Sequence, residues 1–160
     1  SLVRAPDIGR GTERATLVSL DPGKGLALLR IDAPRSAAFL RILDVPVPVG
    51  TPCAYSGFPR LSMGPAPRPG ASLIEMFQGA RVSSIVTTVG PGGEPASGYV
   101  TDAPVVGDAS GCPGFLASGE VFGMLNSPPC DLRSPLPYWV PSMEIVSFAR
   151  ENGIPLLVGT

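Results

Sequence analysis

The stretch GDASGCPGF, residues 107–115, surrounds one serine, Ser110, with Gly107, Ala109, Gly111 and Gly114. Small residues crowded around a serine can hold its hydroxyl out on a tight turn, as a nucleophile requires. A hydroxyl becomes a nucleophile at neutral pH only when a base takes its proton. The 160-residue sequence contains no histidine. Whether Ser110 works or is the remnant of a working residue therefore depends on what surrounds it.

Outward from this turn the chain reads as short strands. The segments 15–20 (ATLVSL), 26–31 (LALLRI), 37–42 (AAFLRI), 51–57 (TPCAYSG), 80–89 (ARVSSIVTTV), 98–103 (GYVTDA) and 120–125 (EVFGML) are rich in apolar and β-branched residues. Gly and Pro turns such as DPGKG and VGPGGEPASG separate them, a pattern that predicts an all-β sandwich or barrel. One helix is expected in PSMEIVSFARENG. Ser142 is its N-cap, Ile145, Val146, Phe148 and Ala149 share a side, and Gly153 with Pro155 stops it. The segment 44–50 (DVPVPVG) reads as a stiff connector between two lobes, and 59–72 as a long irregular loop.

Composition narrows the function classes. Hydrophobic residues make up 44% and charged residues 16%, so a core can form. With 12 basic and 13 acidic residues and no cluster of either, no face is built for nucleic acid or an anionic membrane. No apolar run reaches the roughly 18 residues of a membrane span. Without histidine a metal site would need carboxylates alone, and these are scattered. Neither metal nor cofactor is expected, and the sequence assigns no compartment. Cys53, Cys112 and Cys130 form no CxxC pair. Cys112 reads as a small buried hydrophobe or as a disulfide partner of Cys130.

The order of these pieces resembles the trypsin-like serine proteases, most closely their HtrA/Deg branch. TDAPVVGDASGCPGF followed by GEVFGML is similar to that family's TDA stretch, G-N-S-G-G-P turn and G-E-V-I-G-I strand, with Ser110 on the nucleophile. SLDPGKGLALLRID resembles S-D-P-x-x-D-L-A-L-L-K-I-D, VGTPCAYSGFP resembles the strand opening the second barrel, and YWVPSMEIVSFARENG resembles the last strand and closing helix. The resemblance implies an all-β fold, a trypsin-like double β-barrel with a C-terminal helix and an active site between the barrels. Residues 1–47 would be the C-terminal half of a first barrel, 48–141 the second barrel and 142–153 the helix. The strands and the catalytic histidine that precede the acid segment in this family find no match, so completion of the first barrel by another chain or a missing segment is expected.

The departures fall on the chemistry. The triad acid position is taken by Gly25, which can neither orient nor stabilise an imidazolium. Asp21 matches an earlier, structural aspartate, and Lys24, the single lysine, reads as a solvated turn residue rather than a base. Asp108 stands where the family uses a glycine whose N–H, with that of Ser110, forms the oxyanion hole. Pro137 and Trp139 replace small residues beside the specificity pocket, and Trp139 either walls that pocket or turns into the barrel core. Backbone pairing with a peptide does not need the triad, and the family's peptide strand falls on Gly123, Met124, Leu125, Asn126 and Ser127, with Pro128 and Pro129 capping it. Three readings follow: a trypsin-like pseudoprotease that binds an extended peptide or protein segment, part of a slow endopeptidase whose histidine lies outside this chain, or an unrelated β-rich peptide-binding module.

Overall fold

The computed structural model describes residues 2–7, 11–31, 39–57, 76–89, 95–103, 109–126, 137–156 and 158–159. In the first lobe, β1 (Leu2–Asp7), β2 (Gly11–Asp21) and β3 (Leu26–Ile31) form an antiparallel sheet in the order β1-β2-β3. Asp21 ends β2, and its Oδ1 accepts the Lys24 N–H at 3.0 Å, the side-chain-to-backbone closure that aspartate offers a turn. Alternation then divides the sheet's two faces. Leu26 and Leu28 face the second lobe and pack with Val140 and with Phe148 of the helix. Leu17 lies opposite Leu29, and Leu20 opposite Ala27, on the other face, where Leu17, Leu20, Leu29 and Ile31 are exposed.

The second lobe is a closed barrel of β5 (Pro52–Gly57), β6 (Met76–Val89), β7 (Pro95–Thr101), β8 (Pro113–Leu116), β9 (Val121–Leu125) and β10 (Tyr138–Pro141). The strand order β10-β7-β6-β5-β8-β9 closes when β9 pairs back onto β10. Trp139 fills its centre at 1% exposure, with ring centroids 5.6 Å from Tyr55 and 5.3 Å from Phe122. Its indole N–H donates to Thr101 Oγ1 at 3.1 Å, which satisfies the one polar group that a buried tryptophan brings. Gly114 makes this possible, since a Cβ there would collide with the Phe122 ring and crowd Trp139. Of the two directions open to Trp139 from sequence, the structure therefore has the inward one, and the side chain is not a wall of an exposed peptide strip.

Several boundaries differ from the sequence expectation. Of the strand expected at 37–42, residues 37 and 38 lie outside the described residues and 39–41 are irregular; only β4 (Ile42–Leu43) is a strand. It pairs in parallel with β9 and with β11 (Val158–Gly159). The segment 44–50 is no free connector: Leu43 and Val47 are buried in the second barrel's core, and the Val47 N–H donates to Tyr99 Oη at 3.0 Å. The prolines spaced through this apolar run stiffen a segment that is docked by Val47. β1, β8 and β11 carry too little periodicity to be read from sequence. Helix α1 (Ser142–Glu151) has Pro141, not Ser142, at its N-cap; Ser142 is buried inside the first turn, and its Oγ has no hydrogen-bond partner among the described residues. The C-terminal stop is as expected. The N–H groups of Gly153 (φ +71°) and Ile154 bond the carbonyls of Arg150 and Ala149, a Schellman arrangement. The loop expected at 59–72 lies outside the described residues.

Trp139→Ala should destabilise the chain by about 3–5 kcal/mol, the usual cost of truncating a buried aromatic. Urea unfolding followed by circular dichroism measures it; a loss below about 1 kcal/mol would mean that the barrel does not depend on this side chain.

Candidate active site

Ser110 sits on a turn suspended from the end of β9. The Cys112 N–H bonds the Ala109 carbonyl at 3.1 Å, closing a four-residue turn whose third residue, Gly111, has φ +89°. A side chain is disfavoured in that conformation, so the glycine after the serine is what lets the chain reverse. The Gly111 N–H then donates to the Leu125 carbonyl at 2.7 Å, and the Leu125 N–H to the Cys112 carbonyl at 2.9 Å. Ser110 is exposed at the apex. Asp108, expected at the oxyanion position, lies outside the described residues, as do Ser127 and Cys130. Beside the turn opens an apolar hollow of about 550 Å³, lined among others by Leu40, Ile42, Gly111, Pro113, Met124 and Ile145.

Gly25, where the resemblance places the acid, is covered in a way that its sequence did not suggest. Gly25 has φ +67°, and the carboxamide of Asn126 lies directly over it, so that a Cβ added there would collide with Asn126 Nδ2. No carboxylate is held here. Lys24 is not a poised base either: its Nζ lies 3.0 Å from Glu144 Oε2 of α1 and 4.0 Å from Asp21 Oδ2. The hydrogen bond to Glu144 outweighs partial burial and holds its pKa above the ordinary lysine value, so it stays protonated at neutral pH.

The strip expected to pair with a peptide is largely interior. Gly123 and Met124 pair with β8 on one side, and Gly123, Met124 and Leu125 with β10 on the other. The Leu125 backbone is used by the serine turn, and the Asn126 N–H donates to the Tyr138 carbonyl at 2.9 Å. Backbone groups of a strand flanked on both edges have no vacancy for a third. Residues 123–125 are therefore a wall of the barrel, not an edge. Sequence reading missed Asn126 over Gly25 and Glu144 beside Lys24, because both contacts join residues that are remote in the chain.

Cys112 is half-buried against the second barrel's core, and its Sγ takes the space that a side chain at Gly57 would need. Cys53 is buried on β5, and burial, with a smaller contribution from Asp102, pushes its thiol up to about 11. Among the described residues no group of three or more His, Cys, Asp or Glu side chains could hold a metal ion, and no helix is long and apolar enough to cross a membrane.

A three-stranded sheet docked on a closed six-stranded barrel, with a serine turn at the end of one barrel strand and a C-terminal helix, defines a protein of the trypsin-like protease fold. Comparison with family models agrees, matching residues 1–124 to the trypsin-like peptidase domain. The chain belongs to that family. Among solved structures it resembles the active form of the Rv3671c protease from M. tuberculosis (21% identity, TM-score 0.72), covering 94% of this chain and 63% of that one. It also resembles the apo MamO protease domain from Magnetospirillum magneticum (22% identity, TM-score 0.68), covering 92% of this chain and 74% of that one. Deg5 is similar over 85% of this chain and 59% of its own, at 19% identity and a TM-score of 0.62. These neighbours support an HtrA-related fold, and the chain spans about 63% of the first of them. No curated protein matches the chain.

Cys53 should resist iodoacetamide at pH 8 in the folded protein and react on unfolding, because the thiolate is the reactive form. The same shift fixes a sign: the native pKa lies above the reference value of 9.0, so this thiol costs no stability below pH 9, and stability falls as pH rises from there towards 11. Peptide mass mapping of alkylated Cys53 tests the protection; rapid modification of the native chain would refute it.

Proposed function

We propose that this chain is a trypsin-like protease-fold module without protease activity, kept for binding an extended peptide or protein segment or for assembly. The observation that carries this reading is Gly25: the acid position has a left-handed backbone and is covered by Asn126, while the 160 residues supply no histidine. Loss of the serine or histidine function in such an enzyme costs about 10⁶ in turnover, leaving what binding and the oxyanion hole provide. Because β9 is paired on both edges through Leu125, the binding reading does not place a peptide on residues 123–125.

The second reading, part of an endopeptidase with its histidine elsewhere, is favoured by the exposed Ser110 turn. Even then the acid is unsupplied, and losing the correct histidine tautomer alone costs ~10⁴. The two readings separate on one measurement. A fluorophosphonate probe at neutral pH should leave Ser110 of the 160-residue chain unlabelled; stoichiometric labelling by intact mass, abolished in Ser110→Ala, would refute the inactive reading.

The sheet β1-β2-β3 leaves Leu20 58% and Ile31 46% exposed on its outer face. Apolar sheet faces and open strand edges recruit partners. We assign to this lobe the pairing with an additional strand-bearing segment, from another chain or from a longer polypeptide. Sedimentation and hydrogen exchange test it: self-association or protection of the outward amides of the edge strands β1 and β3 is expected, whereas a monomer at high concentration whose edge amides exchange freely would count against it.

A further inference from the structure

Three consecutive residues of the β2–β3 turn reach across to the second lobe, each with a different kind of contact. Lys24 pairs with Glu144 of α1. Gly25 receives the Asn126 carboxamide at the end of β9. Leu26, 3% exposed, packs with Val140 and Phe148. The middle contact depends on the absence of a side chain, and the Asn126 backbone is itself fixed by its bond to the Tyr138 carbonyl. The Asn126 backbone is held in place, so a Cβ at position 25 would have to turn the Asn126 carboxamide aside.

We propose that Lys24, Gly25 and Leu26 form an interlobe latch in which Asn126 fills the volume of an acid side chain, so that this turn docks the lobes and cannot hold a triad carboxylate. The proposal deepens the reading of this chain as inactive and rests on Gly25 occupying the acid position. The physical conflict is local. An acid at position 25 needs the space that Asn126 Nδ2 and Cγ fill, and it needs a φ that an L side chain adopts only with strain. A glycine satisfies both, and its two neighbours then reach Glu144 and the Val140–Phe148 cluster. A side chain at position 25 is thus coupled to Asn126, whose carboxamide must turn aside before it fits.

A double-substitution cycle tests the coupling in the full chain. Gly25→Asp should lower the melting temperature by about 4–8 °C. It should also perturb the Asn126 side-chain amide and speed amide exchange at Val140 and Phe148 more than at Val82 in the barrel wall. In the Asn126→Ala background the same substitution should cost about half as much, because the collision is gone and the backbone strain remains. Should Gly25→Asp not fold, Gly25→Ala probes the same two terms more gently. Equal losses in both backgrounds, or no change at Val140 and Phe148, would overturn the latch. This failure is distinct from that of the inactive reading, which falls only if Ser110 is labelled by the fluorophosphonate.

Discussion

Closure of the second barrel depends on Trp139 lying between Tyr55 and Phe122 with its indole N–H bonded to Thr101. The ring comes from β10, its neighbours from β5 and β9, and its hydrogen-bond partner from β7, so one side chain ties four of the six strands. Aromatic side chains carry the largest apolar area available to a core, and tilted ring pairs at these distances add to it. The demand on the rest of the sequence is strict. Gly114 must stay without a side chain, and Thr101 must present a hydroxyl inside an apolar core.

The candidate site is a consequence of that closure. β9 is locked between β8 and β10, and the serine turn hangs from its last residue through paired bonds between Gly111, Cys112 and Leu125. The turn therefore has a rigid base although its apex is exposed, which is how a scaffold presents a functional loop. The same locking consumes the backbone groups that a peptide would otherwise use at 123–125. A strand cannot both close a barrel and remain an edge.

Between the lobes the contacts combine an ion pair, a close approach and apolar burial. Lys24, Gly25 and Leu26 meet Glu144, Asn126 and the Val140–Phe148 cluster, while Arg150 of the same helix bonds Asp44 on the second lobe's own side at 2.8 Å. The half-exposed ion pairs contribute little individually, while burial of Leu26 and Phe148 removes apolar surface from water and dominates the docking.

The sequence by itself determined the all-β class, the C-terminal helix with its Gly153 stop, the family resemblance around Ser110 and a glycine at position 25, where that resemblance puts the acid. Each is a local pattern: alternation, turn chemistry, or a residue type at a motif position. The burial of Trp139, the docking of 44–50 on the second barrel, the pairing of β9 on both edges and the placement of Asn126 over Gly25 were decided by tertiary structure. The reason is that these depend on partners far along the chain, as with Val47 and Tyr99 or Gly25 and Asn126, and no periodicity within a segment encodes which distant strand will lie beside it.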